Sequence, residues 1–165
     1  MLGDPLRTTL VLLAIIAVLA GAGRLLSTPA GDPVPAVDYE TPLEAAQEAA
    51  PYRVLGPADL PDGWRATSVR YLAGSARWHL GILTDQERYI GIEQSPQSPE
   101  ELVEEFAPAA QPEGTLELAG DTWELLRAVE RTTLVRRGDG ATTLVTGTAP
   151  QATIREFVES LTEDD

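Results

Sequence analysis

The sequence predicts an α+β domain: an antiparallel sheet of about six or seven strands with helices on one face, preceded by an N-terminal transmembrane helix. Three observations predict it. Short runs of alternating apolar and polar residues, separated by turn residues, recur along most of the chain. Capped amphipathic segments follow two of these series. An uninterrupted apolar stretch lies near the amino terminus.

The stretch is RTTLVLLAIIAVLAGAGRLL, uncharged from Thr8 to Gly23 and bracketed by Arg7 and Arg24. Sixteen helical residues reach roughly 24 Å, and Leu25 and Leu26 extend this to about 28 Å if Arg24 snorkels, against a hydrocarbon core of about 30 Å. No helical phase has a polar face, which argues against a buried core helix. Two readings remain: an uncleaved signal anchor over 8–26, or a signal peptide cleaved near Ala22, because Ala20-Gly21-Ala22 fits a small-residue cleavage site. The chain beyond Arg24 has no positive residue before Arg53, so residues 1–7 are expected in the cytoplasm. Either reading puts the remainder outside the membrane. The anchor reading gives a single-pass protein of the plasma membrane, the cleaved reading a secreted one.

Residues 27–38, STPAGDPVPAVD, form a Pro/Gly-rich tether with no apolar period. The domain is then 39–165. Thr41-Pro42-Leu43-Glu44 has the spacing of a capping box and predicts a short helix to about Ala50. Strands are expected near Arg65–Leu72, Arg77–Thr84, Arg88–Gln94, Thr115–Ala119, Thr122–Val129, Thr132–Arg137 and Ala141–Thr148. Trp78, Leu80 and Ile82 share one strand face, leaving Arg77 and His79 on the other. Turns are expected at Thr84–Glu87 and at Gly138-Asp139-Gly140. Ser98-Pro99-Glu100-Glu101 caps a helix that buries Leu102, Val103 and Phe106. Thr153-Ile154-Arg155-Glu156 caps one that buries Phe157, Val158 and Leu161.

The two halves match at an offset of 55 residues in the helices and 54 in the stretch before them, where Pro96-Gln97 and Pro150-Gln151 precede the helices; further back, Trp64 and Trp123, 59 apart, open each strand series. A degenerate duplication, strand–strand–strand–helix twice, fits this spacing. So does the bland alternative, that capped helices after hairpins look alike.

Charge excludes some functions. The chain carries 12 Lys+Arg against 26 Asp+Glu, a net −14, and the first 35 residues are neutral in sum. Nucleic acid is a poor partner for so acidic a domain. Cysteine is absent, which removes disulfides, thiol chemistry and zinc ribbons. No phosphate loop, H-E-x-x-H or G-x-S-x-G motif occurs, and no cofactor or metal is expected. Glu100, Glu101, Glu104 and Glu105 read as a solvated helix face rather than an acid–base pair or a calcium site. His79, the only histidine, is placed mid-strand, where an ordinary strand histidine is the simpler reading. Arg65, Arg70 and Arg77 are candidates, with His79, for a ligand-binding surface. Their alternative is pairing with the plentiful carboxylates. Gly81 and Gly91, inside strands, mark bulges or close packing.

LPDGWRATSVRY, then WHLGILTDQERYIGIEQS and TWELLRAVERTTLVRRGDGATTLVTGTA, resemble an actinobacterial family of small single-span membrane-anchored proteins. The resemblance covers nearly the whole chain. It implies an extracytoplasmic domain of unknown function in the cell envelope, with no activity or ligand to carry over. The leading expectation is a non-catalytic binding or interaction module, its partner an envelope protein, a peptide or a small ligand. One alternative is an envelope hydrolase using acidic residues with His79. Another is a structural subunit of a membrane complex.

Overall fold

The computed structural model describes residues 34–138 and 140–162. The expected anchor, residues 1–7 before it and most of the tether lie outside the described residues. Among those described, no helix is long and apolar enough to cross a membrane.

In chain order, helix α1 (Glu40–Ala49) leads to a two-residue strand β1 (Gly56–Pro57), then β2 (Arg65–Leu72), β3 (Arg77–Leu83) and β4 (Tyr89–Ser95). Helix α2 (Pro99–Phe106) is followed by β5 (Gln111–Leu118), β6 (Asp121–Ala128), β7 (Arg131–Arg137) and β8 (Thr142–Gly147). Helix α3 (Gln151–Glu159) and a two-residue strand β9 (Leu161–Thr162) close the domain. Seven strands form one antiparallel sheet in the order β2-β3-β4-β8-β7-β6-β5, so the α+β class holds. β1 pairs with β9 in a separate ribbon.

The two faces of the sheet have different fillings. On one, Trp78, Leu80 and Ile82 of β3, Ile90 and Ile92 of β4, Val145 of β8, Leu134 of β7 and Trp123 of β6 form the main core under α1 and α3. Trp78 is wholly buried, and burying each such large side chain is worth about 2–3 kcal/mol. On the other face, Leu126, Val135 and Leu144 pack against Leu102, Val103 and Phe106 of α2. Helices on one face therefore describe α1 and α3, whereas α2 occupies the opposite face. Leu144 and Val145 are adjacent on a strand and so serve the two cores separately.

The strand order places β2-β3-β4 and β6-β7-β8 side by side about the β4–β8 pair, as a duplication would. The helices break the symmetry. β4 has seven residues and β8 six, while the first residues of α2 and α3, Pro99 and Gln151, each come four residues after the strand ends. Ser95, ending β4, shares a face with Glu93, while Gly147, ending β8, shares one with Val145. A one-residue difference in strand length sends each helix to the face its strand last addresses. The tryptophans are also inequivalent: Trp123 is the third residue of β6, while Trp64 precedes β2 and packs against Phe157 with ring centroids 6.4 Å apart.

Capping follows the sequence only in α2, where Ser98 Oγ accepts from Glu101 N at 3.3 Å and Glu101 Oε2 accepts from Ser98 N at 2.9 Å. In α1 the cap is Asp38, whose Oδ1 accepts from Glu40 N at 3.0 Å and from Thr41 N at 3.5 Å. Thr41 lies inside the first turn because an upstream carboxylate already serves the exposed N–H groups. In α3 the helix starts at Gln151, with Pro150 as N-cap and no side-chain cap, so Thr153 is internal.

Candidate functional site

β3 and β4 are joined by a tight turn in which Thr84 N donates to Arg88 O at 2.9 Å and Glu87 N to Thr84 O at 3.0 Å. Glu87 takes a left-handed φ of 55° there. This turn sets the register in which His79 lies opposite Glu93 and Gly81 opposite Gly91. On the other side of β3, Arg70 lies opposite His79, and a bulge between Ala66 and Ser68 brings Ser68 opposite Gly81.

These registers place Ser68, Arg70, His79 and Glu93 on the sheet face that carries α2, to one side of that helix. His79 bridges three strands: its Nε2 lies 2.8 Å from Ser68 Oγ, and its Nδ1 is bound to Glu93 Oε1. Glu93 is buried to 4% exposure, and its Oε2 has no hydrogen-bond partner. A buried carboxylate oxygen without a donor is costly, and it marks a place where a donor from a ligand or a water would be held firmly.

The facing glycines form the floor beside this relay. A Cβ on Gly81 would stand 2.4 Å from Ser68 Oγ and 3.2 Å from Tyr89 Oη, and one on Gly91 would stand 2.5 Å from Tyr89 Oη. Close packing is the role of both, because the Tyr89 ring lies across them, and Gly81 also faces the β2 bulge. Burial raises the Tyr89 phenol pKa, the Glu93 charge adds to the rise, and Arg131 opposes it.

The four sequence candidates separate. His79 is the centre of the cluster. Arg70 stands beside it, exposed, at the outer edge of the sheet. Arg65 Nη2 donates to both oxygens of Glu87, at 2.9 and 2.8 Å. Arg77 makes a fork to Glu105, at 2.6 and 2.8 Å, and its guanidinium lies 5.4 Å over the Phe106 ring. It pins the end of α2 to β3 and is a structural clamp. The acidic helix face is likewise engaged: Glu105 holds Arg77, and Glu101 completes the cap. Backbone N–H and Ser98 hydrogen bonds hold the Glu100 carboxyl below its ordinary value. Ser68, Tyr89 and Glu93 are not singled out by the sequence reading.

Two cavities among the described residues lie elsewhere. One of about 110 Å³ is walled by Arg53, Leu55, Gln94, Arg136 and Thr143. A second, of about 350 Å³, sits at the turn end of the sheet between Arg88, Arg127 and Arg131.

A family model described as a protein of unknown function, DUF4245, matches residues 2–161. The chain belongs to the DUF4245 family. The match takes in the apolar segment as well as the sheet domain, so the expected resemblance to a family of unknown function holds over nearly the whole chain. No curated protein matches the sequence. Among solved structures, this DUF4245 member is similar to a chain of the Pseudomonas aeruginosa MucA/MucB complex, with 13% identity and a TM-score of 0.39. That similarity covers 67% of this chain and 35% of the other, so the protein spans about a third of the matched chain's length.

Proposed function

We propose that this DUF4245 protein is a membrane-anchored, extracytoplasmic interaction module of the bacterial envelope, non-catalytic, and of actinobacterial type. Its recognition surface is the part of the sheet face that α2 leaves uncovered. One observation carries the reading: the face that is closed over β6–β8 by Leu126, Val135, Leu144 and α2 presents over β2–β3 a connected polar cluster, Ser68–His79–Glu93, with Arg70 beside it. The apolar stretch from Thr8 to Gly23 supports anchorage, and the acidity of the domain supports residence away from anionic headgroups. A protein or peptide segment with hydrogen-bonding side chains is the partner this surface suits.

The test is site-specific photocrosslinking in native membranes. A photoreactive residue replacing Arg70 is expected to give a discrete adduct. The same residue replacing Glu117, at the opposite sheet edge, is expected to give none. Equal adduct patterns from both positions, or none from position 70, would sink the reading.

A second reading is favoured by the polarity of the relay. Nε2 faces the hydroxyl and Nδ1 the carboxylate, as in a serine nucleophile assembly. In that chemistry Ser68 Oγ would attack an acyl carbonyl as its proton passes to His79 Nε2, and Glu93 would steady the ring. Acyl transfer also requires a cleft and donors for the oxyanion. The two cavities described above are walled by other residues, and Ser68 lies within a strand whose backbone serves the β2–β3 ladder. Labelling by a fluorophosphonate probe decides the matter: an adduct on Ser68 that vanishes in His79→Ala would establish the hydrolase, and an unlabelled chain the binding module.

A further inference from the structure

The turns β3–β4 and β6–β7 and the connection from β8 to α3 converge at one end of the sheet. They enclose the cavity of about 350 Å³ walled by Arg88, Arg127, Arg131, Glu130 and Gln151. Three arginines line it in a chain of net charge −14. Three strand arginines elsewhere are paired, Arg65 with Glu87, Arg77 with Glu105 and Arg136 with Asp121, while Arg70 and Arg137 have no ion pair among the described residues. Arg127 is also paired, with Glu113 at 3.1 Å, and its Nη2 holds Gln151 Oε1 at the first turn of α3. Arg88 and Arg131 differ. Among the described residues neither has an ion-pair partner, although Glu130 is on the same wall.

We propose that this pocket binds a phosphate group carried on a larger molecule. Guanidinium groups are suited to phosphate oxygens by charge and by planar N–H forks. Arg88, Arg127 and Arg131 approach from a turn and two different strands, so their donors suit a tetrahedral oxyanion with several acceptors better than a planar carboxylate. The cavity is several times larger than one phosphate group, which leaves room for the molecule that bears it. The N-terminus of α3 adds to the site without carrying it: Pro150 supplies no side-chain cap, so the first N–H groups of the helix lack a side-chain acceptor. This site is independent of the Ser68–His79–Glu93 surface, from which Arg88 and Arg131 are separated by Tyr89.

The experiment is an NMR titration of the full 165-residue chain in a neutral detergent, at constant ionic strength set with chloride. It follows the Nε–H signals of Arg88 and Arg131 and the amides of Ala152 and Thr153. Inorganic phosphate, glycerophosphoglycerol and acetate are the probes. Saturable shifts with either phosphorus compound are expected, weakened roughly tenfold or more in the Arg88→Gln/Arg131→Gln double variant. Arg53→Gln, an exposed arginine beside Gln94 and Ala141 and away from these turns, is expected to titrate as the native chain does. Tighter binding of the diester than of inorganic phosphate is expected and identifies a headgroup-type source, whereas tighter binding of inorganic phosphate would overturn the larger carrier. Non-saturating shifts, a double variant that titrates like the native chain, or acetate binding as tightly as phosphate would each overturn the proposal. If the double variant does not fold, the exposed Arg88→Gln alone carries the test, with the same two outcomes.

Discussion

The two halves of the sheet share a strand pattern but end in opposite states on the face that carries α2. Over β6, β7 and β8 that face holds Leu126, Val135 and Leu144 beneath Leu102, Val103 and Phe106. Over β2, β3 and the facing part of β4 it holds Ser68, Arg70, His79, two glycines and Glu93, with Tyr89 laid across them. An antiparallel sheet needs only one face buried to be stable. The main core under α1 and α3 meets that need along the whole sheet. The second face is then free to differ, closed by a helix in one half and polar in the other. The difference leaves the polar half available for the recognition proposed above, while both halves share the main core.

The largest test of that division is Leu144→Ala. Leu144 is fully buried beneath α2, and its truncation is expected to cost about 2–5 kcal/mol, read as a lower urea midpoint. Ser68→Ala, on the same face in the other half, is expected to cost under about 1 kcal/mol, because Ser68 is only partly buried. Equal losses would erase the distinction between the halves.

Much of this architecture was legible beforehand, because strands that bury one face announce themselves by period. β2 was expected at Arg65–Leu72 and is found there. β1 and β9 were not expected: each is two residues long, and their pairing of Gly56 with Thr162 joins opposite ends of the domain. No period exists in two residues. The relay was missed for a narrower reason. A turn at Thr84–Glu87 centres the hairpin so that His79 faces Ile92. The observed turn extends to Arg88 and moves the partner by one residue, to Glu93. That slip changes the face the partner occupies. The left-handed Glu87, a residue with no special preference for that conformation, gave no signal of the longer turn. The bulge that positions Ser68 was equally silent.

Glu93→Gln sharpens the comparison from the polar half. The variant keeps the shape and removes the charge that holds His79 Nδ1. A loss of about 1–3 kcal/mol is expected from the weakened buried hydrogen bond, measured by urea unfolding. The neutral His79 ring is expected to carry its proton on Nδ1 in the native chain, visible in its ¹⁵N shifts. A ring protonated on Nε2 would break the relay as described.

Tyr52 tests the end of the sheet where both halves meet the segment before β2. Its hydroxyl lies 2.7 Å from Ala76 O and 3.1 Å from Gln94 O, one O–H shared between two carbonyls. Burial, the largest cause, drives its pKa well above the ordinary value of 10.0. The sign follows from linkage: the unfolded chain releases this proton first, so the stabilisation is complete below the unfolded value and is lost as pH rises from there towards the folded one. Stability is therefore expected to fall with a steeper slope above about pH 10. Tyr52→Phe should flatten that added slope and cost about 1 kcal/mol at neutral pH. An unchanged slope in the variant would assign the alkaline loss to Tyr39 or Tyr89, whose phenols are also raised by burial.

One further change separates packing from recognition within the polar half. Gly91→Ala would set a methyl group 2.5 Å from Tyr89 Oη, and the ring must move off the glycine floor. The phenol is the far end of a flexible side chain, so the cost to folding is expected to be under about 1.5 kcal/mol. The change to the surface is larger than the change in stability, because the ring that lies beside Ser68 is displaced while the main core on the opposite face is untouched. If the Arg70 crosslink of the native chain weakens in Gly91→Ala while the urea midpoint barely moves, the tyrosine is part of the recognition surface. If the crosslink is unchanged and the fold loses several kcal/mol, Tyr89 is a packing element, and the surface shrinks to Ser68, Arg70 and His79.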